Sequence, residues 1–164
     1  MAYKAAIITL SDKGARGERQ DGSGPVLRDM LTGAGYEVVS WQILSDDPEG
    51  LKAALIDLCD HRRVNLVLTT GGTGFSRRDN TPEATLAVIE RNAPGLSEAM
   101  RAKSLQITPR AMLSRGVSGI RGSTLIVNLP GSPKGARENL EVILPVLEHA
   151  IGLLVGDEGE CGAN

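Results

Sequence analysis

The sequence predicts an α/β fold, a mostly parallel sheet with helices on both faces. Short apolar runs at 3–11, 37–44, 64–70 and 123–130 alternate with segments whose apolar residues recur every three or four positions. That alternation is the mark of βαβ units. The run VNLVLTT (64–70) is nearly continuous in apolar residues, as in strands buried on both faces. The 164 residues, 41% of them apolar, suit one domain around one core. The expected domain is 1–155, with the Gly-containing segment 156–164 as a disordered tail.

The elements follow in order. YKAAIITLS (3–11) is the first strand, and a polar, glycine-containing loop follows it. Ser23 to Leu31 reads as a helix, with Ser23 as cap and Pro25 in the first turn. Val26, Leu27, Met30 and Leu31 share its apolar face, and Gly33 and Gly35 stop it. EVVSWQIL (37–44) is the second strand. Asp47 then caps a helix opening at Pro48, with Leu51, Ala54, Leu55 and Leu58 at helical spacing. After the third strand (64–70), Thr81 caps a helix with Pro82 just inside it, and PGLSEAMRAKSL (94–105) is another helix. Residues 106–122 show no clear period. STLIVNLP (123–130) is the last strand. Leu140, Leu144, Leu147, Ile151 and Leu154 step by four, three, four and three, a single stripe on a final helix. Pro145 predicts a kink or two short helices there, and Gly156 ends it.

Composition removes several function classes. Net charge is −2 and the pI is near 5.7, so no overall basic field exists for nucleic acid or an anionic membrane. Aromatics at 2% argue against base stacking on single strands. No apolar run approaches the ~20 residues that span a bilayer, and Met1 leads straight into a strand rather than a secretory leader. Cys59 and Cys161 lack metal-type spacing and do not suggest a disulfide framework. The expected setting is the cytoplasm, with no nucleic-acid and no membrane partner.

The chemistry concentrates at strand ends, where open α/β sheets bind ligands. TTGGTGFSRRDNTPEAT (69–85) follows the most apolar strand. Glycines there let a backbone approach a ligand and expose consecutive N–H groups, which favours an anion such as phosphate. The simpler reading is a glycine turn that only reverses the chain. The pattern is neither a P-loop nor a dinucleotide fingerprint. Asp79 precedes the expected cap by two residues. It either holds a divalent cation beside substrate phosphates or orders its own loop as an Asx turn. Asp46 stands spare beside the cap Asp47 and raises the same question. NLPGSPKG (128–135) is a second strand-to-loop signal, with Lys134 as a point charge near a helix start or merely exposed.

Taken together, TLSDKG (9–14), LTTGGTGFSRRDNTPEAT (68–85), PGLSEAMR (94–101) and SRGVSGIRGSTLIVNLPGSPKG (114–135) resemble the MogA/MoaB family of molybdenum-cofactor biosynthesis proteins. The likeness covers roughly residues 4–155. It implies a three-layer α/β/α sandwich and a homo-oligomer, usually a trimer and sometimes a hexamer. It also implies molybdopterin adenylyltransferase activity: the terminal phosphate of molybdopterin attacks the α-phosphate of ATP, releasing pyrophosphate. The adenylylated product would pass to a molybdenum insertase.

By resemblance, Asp79 and Asp46 are the metal-binding, catalytic aspartates holding Mg²⁺, with Asp47 one position from the second match. Thr70, Gly71, Gly72, Thr73 and Gly74 correspond to the phosphate cradle, and Ser104 to a serine on the pterin's terminal phosphate. Asn128, Pro130 and Gly131 correspond to a nucleotide-contacting loop, and Lys134 or Arg77 would draw charge from the pyrophosphate. Ser11 and Asp12 match a further binding stretch, in which Lys13 replaces the commoner arginine and loses bidentate reach. A non-catalytic molybdopterin-binding or assembly protein is the rival. A relative of the insertase domain is a third reading, weakened by the lack of any further domain.

Overall fold

The computed structural model describes residues 2–157. Its strands are β1 (Lys4–Leu10), β2 (Glu37–Leu44), β3 (Leu66–Thr70), β4 (Arg91–Asn92), β5 (Ser118–Arg121) and β6 (Thr124–Leu129). Its helices are α1 (Asp12–Ala15), α2 (Ser23–Gly33), α3 (Pro48–Ile56), α4 (Thr81–Val88), α5 (Pro94–Leu105) and α6 (Pro133–Val155). One sheet runs β2-β1-β3-β6-β5-β4. β2, β1, β3 and β6 pair in parallel, and the antiparallel β5 and β4 extend the far edge.

The central strands bury both faces, which explains their unbroken apolar sequences. Ala5, Ile7, Leu66, Leu68, Leu125, Val127 and Leu129 face a core closed by Leu27 and Leu31 of α2, Met100 of α5, and Leu140, Ile143, Leu147 and Ile151 of α6. Their alternates Ala6, Ile8, Val67 and Ile126 face Leu51 and Leu55 of α3 and Ala84 and Val88 of α4. Helices on both faces make this a three-layer α/β/α sandwich, as expected. Full burial of each such Leu or Ile side chain contributes about 1.5–3 kcal/mol.

Several local expectations change. Ser23 does not cap α2. The Asp21 carboxylate does, accepting from Ser23 N, Gly24 N and Ser23 Oγ at 3.1 Å each. Thr81 is the first residue of α4 rather than its cap; its hydroxyl donates to Gly71 O at 2.9 Å. Asp47 does cap α3, accepting from Glu49 N.

Pro145 leaves α6 one continuous helix of 23 residues. It lies on the exposed face, so the carbonyl it leaves without a donor faces water, and the buried stripe holds the helix together. Gly156 ends α6 at φ 76°, and Asp157 N donates to Gly152 O. The rest of the expected tail, with Cys161, lies outside the described residues.

Candidate active site

The strand order places β2 on one side of β1 and β3 on the other. The chain thus leaves the carboxyl ends of β1 and β3 in opposite directions, and such a switch point opens a crevice for ligands. Ser11 follows β1 there, Asp46 follows β2, and the glycine turn follows β3.

The turn is pinned by its carbonyls. Gly71 O accepts from Thr81 Oγ1, Gly72 O from Thr81 N at 3.1 Å, Thr73 O from Arg115 N at 2.9 Å, and Gly74 O from Arg115 Nε at 2.8 Å. The Gly71 amide turns inward to Leu129 O at 3.1 Å, so the expected cradle loses one donor. Among the described residues, the N–H groups of Gly72, Thr73 and Gly74 meet no acceptor. Three consecutive donors therefore remain for an anion.

Only glycine fits at two of these positions. Gly71 has φ 101°, and a Cβ there would lie 2.5 Å from Leu10 O. Gly72 has φ 70°, and its Cβ would lie 2.2 Å from Thr81 Oγ1.

Two carboxylates flank the turn. Positions of a hypothetical Cβ fix their proximity: one on Gly72 would lie 3.5 Å from Asp46 Oδ1, and one on Gly74 2.9 Å from Asp79 Oδ2. Asp79 is not free. It accepts from Ser76 N, three residues upstream, at 2.9 Å, a bond that orders the loop but is not the downstream bond of an Asx turn, while lining the same cavity as Asp46. Burial pushes the Asp46 carboxyl above its usual value, and the charges of Asp12 and Asp79 add to this against the hydrogen bond from Asp12 N. Asp12 is held down to about 2, chiefly by its hydrogen bonds from Arg78 at 2.8 and 3.0 Å. Arg78 is thus engaged by Asp12 rather than turned to an anion.

Among the described residues, no group of three or more His, Cys, Asp or Glu side chains could hold a metal alone. The donor set nonetheless fits Mg²⁺, which is typically held by one or two carboxylates with substrate phosphates completing its shell.

The turn divides two cavities. One, of about 550 Å³, is lined by Ser11, Asp21, Asp46, Thr70, Gly71, Gly72, Asp79, Gly131 and Ser132, with Arg19 at its wall. The other, of about 310 Å³, is lined by Thr73, Gly74, Ser104, Asn128, Pro130 and Ser132, and by Arg101, Arg110, Met100, Ala111, Leu113 and Asn139. The sequence suggested a single cradle; the structure splits it, with Ser132 shared.

Not every predicted residue presents its side chain to a cavity. Thr70 donates to Pro130 O at 2.6 Å. Asn128 is buried, its amide donating to Thr69 and Thr85 hydroxyls and accepting from Val117 N, so it ties β6 to β3, to α4 and to the loop entering β5. Lys134 lines neither cavity; its side chain is 80% exposed and lies 3.8 Å from Glu138. Ser104 donates to Asn139 Oδ1 at 3.4 Å.

Asp21, Arg19, Arg101, Arg110 and Arg115 were missed. Their recruitment depends on contacts across the fold, and Arg110 and Arg115 lie in the stretch without a period.

A three-layer sandwich with a glycine turn and carboxylates between two cavities at its strand ends makes this an α/β protein with a candidate ligand site at the carboxyl ends of its strands. The family described as "Probable molybdopterin binding domain" matches residues 6–149, and the chain belongs to that family.

Molybdopterin adenylyltransferase of Helicobacter pylori J99 is 39% identical over 153 residues, covering 92% of this chain and 87% of that protein. The protein of that name from Escherichia coli K12 is 43% identical over 141 residues, covering 84% and 72%. Among solved structures, the molybdopterin biosynthesis enzyme MoaB of Thermus thermophilus is similar with TM-score 0.89 and 51% identity, covering 94% and 97%.

Proposed function

We propose that this protein is a molybdopterin adenylyltransferase acting in molybdenum-cofactor biosynthesis, transferring AMP from ATP to the terminal phosphate of molybdopterin with release of pyrophosphate. The observation that carries it is the partition. A turn with three amides that meet no acceptor stands between two cavities, so phosphates from either side can meet at one cradle. Two relatives that bear the adenylyltransferase name at about 40% identity support the reaction.

The larger cavity, with Asp46 and Asp79, suits the ATP phosphates. The smaller one, with apolar walls and the Ser104, Arg101 and Arg110 side chains, suits a phosphorylated pterin. Asp46 and Asp79 would hold Mg²⁺, which neutralises phosphate charge when bound. The amides of Gly72, Thr73 and Gly74 stabilise charge on the transferring phosphoryl group as fixed dipoles. Held reactants need little other chemistry from the protein, because adenylyl transfer is mainly positioning and electrostatics.

The protein acts in the cytoplasm as a homo-oligomer, a trimer or a hexamer, and hands its product to a molybdenum insertase. Exposed Leu105, Ile107, Met112 and Leu113 offer apolar surface for a subunit contact. Among the described residues, no helix is long and apolar enough to cross a membrane. Incubation with molybdopterin and Mg-ATP, followed by mass analysis, tests the activity. Adenylylated molybdopterin and pyrophosphate are expected; bound but unmodified molybdopterin would leave only the non-catalytic binding reading.

A further inference from the structure

We propose that Arg115 is a positioning residue for adenylyl transfer, clamping the glycine turn and Asp79 in the geometry the reaction needs; this rests on the function proposed above. Arg115 stands in the loop between the 3₁₀ turn Pro109–Leu113 and β5. Its backbone N–H donates to Thr73 O at 2.9 Å, Nε to Gly74 O at 2.8 Å and Nη2 to Asp79 O at 2.6 Å, while Nη1 pairs with Glu83.

Two consequences follow. Arg115 occupies the Thr73 and Gly74 carbonyls, while the N–H groups of Gly72, Thr73 and Gly74 keep no internal acceptor and stay available to a ligand. Holding the Asp79 carbonyl fixes the backbone that carries a proposed metal-binding carboxylate. One guanidinium thus ties the turn, which walls both cavities, to Asp79 in the larger one. Its chain neighbours Ser114 and Gly116 line the smaller cavity, so the clamp spans the partition.

A lysine cannot substitute. Reaching two carbonyls and a carboxylate at once takes a planar fork with several donors, whereas an ammonium is a compact point charge on a flexible stem. Arg115 itself lines neither cavity; it acts through the turn and Asp79.

The test is steady-state adenylyl transfer by wild type, Arg115→Lys and Arg115→Ala, with molybdopterin and Mg-ATP, and with millimolar guanidinium chloride or sodium chloride added. A misplacement of about 1 Å costs about 10²-fold, so kcat of Arg115→Ala should fall about 10²-fold with KM for molybdopterin little changed. Arg115→Lys should recover only a minor part. The side chain is 34% exposed, so free guanidinium can enter the vacated site. It should raise kcat of Arg115→Ala about tenfold or more, with no such rise in sodium chloride, as expected for restored geometry.

If Arg115→Ala does not fold, Arg115→Lys decides by the same kcat loss at unchanged KM. An active wild type with variants that keep kcat within about threefold, or that lose activity only in step with their folded fraction, overturns the inference alone. A wild type that forms no adenylylated product overturns the functional reading, and this inference falls with it.

Discussion

Asp12 and Asp46 brace one another: the Asp12 amide donates to Asp46 Oδ2, and the Asp46 amide donates to Asp12 Oδ1, each at 3.0 Å. The two carboxylates nevertheless differ in charge environment. Arg78 forks onto Asp12 and offsets its charge. Asp46 is reached by Arg78 only at longer range, with no ion pair among the described residues, and it sits partly buried with Asp79 near by. The loops after β1 and β2 are thereby locked together, and Asp46 is the carboxylate proposed to meet a cation.

Asp46→Asn and Asp79→Ala should each lower kcat by about 10²-fold or more while leaving molybdopterin binding in place, since charge neutralisation at the phosphates is lost. Product formation read beside pterin binding by calorimetry checks this. Unchanged turnover in Asp79→Ala would remove Asp79 from the mechanism.

The pH dependence follows from the opposed carboxyls. Asp46 titrates above its usual value because burial and neighbouring negative charge disfavour its ionised form. Cation binding at Asp46 should therefore fail as pH drops through that raised value, giving kcat/KM for Mg-ATP an acid limb that Asp46→Asn abolishes. The same shift means that ionising Asp46 costs stability as pH rises through that range, so Asp46→Asn should be the more stable protein at neutral pH. For Asp12 the sign reverses. Its depressed pKa of about 2 gives stability above the unfolded value, lost as pH falls through about 2. Urea midpoints across pH read both signs.

Gly72→Ala should cost about 1–3 kcal/mol and reduce turnover. The new Cβ meets Thr81 Oγ1 at 2.2 Å, and the backbone stands at φ 70°. Denaturant unfolding checks the first effect. A variant as stable and as active as wild type would show that the turn is not constrained in this way.

Divalent-metal removal should weaken binding of a non-hydrolysable ATP analogue and stop turnover, because Asp46 and Asp79 then face phosphates of like charge. Titration in EDTA and in excess Mg²⁺ measures this. Affinity and turnover indifferent to the metal would remove Mg²⁺ from the proposal.

Much of this was legible locally. The segments read as a strand at 37–44 and a helix at 94–105 keep those bounds as β2 and α5, and Asp47–Pro48 gave a true cap. The glycine turn announced itself because backbone conformation is written in glycine positions. What failed depended on distant groups. Thr81 resembles a cap in sequence, yet its hydroxyl is drawn to Gly71 by the fold. Arg115 lies 41 residues from the carbonyl of Gly74 that its Nε reaches, and no local pattern marks it. The inward turn of the Gly71 amide depends on β6 pairing beside β3. Pro145 predicted a kink or two short helices; the split into two does not occur, because the lost donor falls on the exposed side of the helix, which sequence alone cannot show.

Backbone amide NMR of the ¹⁵N-labelled protein, titrated with Mg-ATP, tests the phosphate cradle most directly. The N–H signals of Gly72, Thr73 and Gly74 should shift strongly as their donors find phosphate oxygens, while Gly71, bound to Leu129 O, shifts little; without Mg²⁺ the shifts should shrink. Saturable nucleotide binding that leaves those three amides unmoved would contradict the cradle.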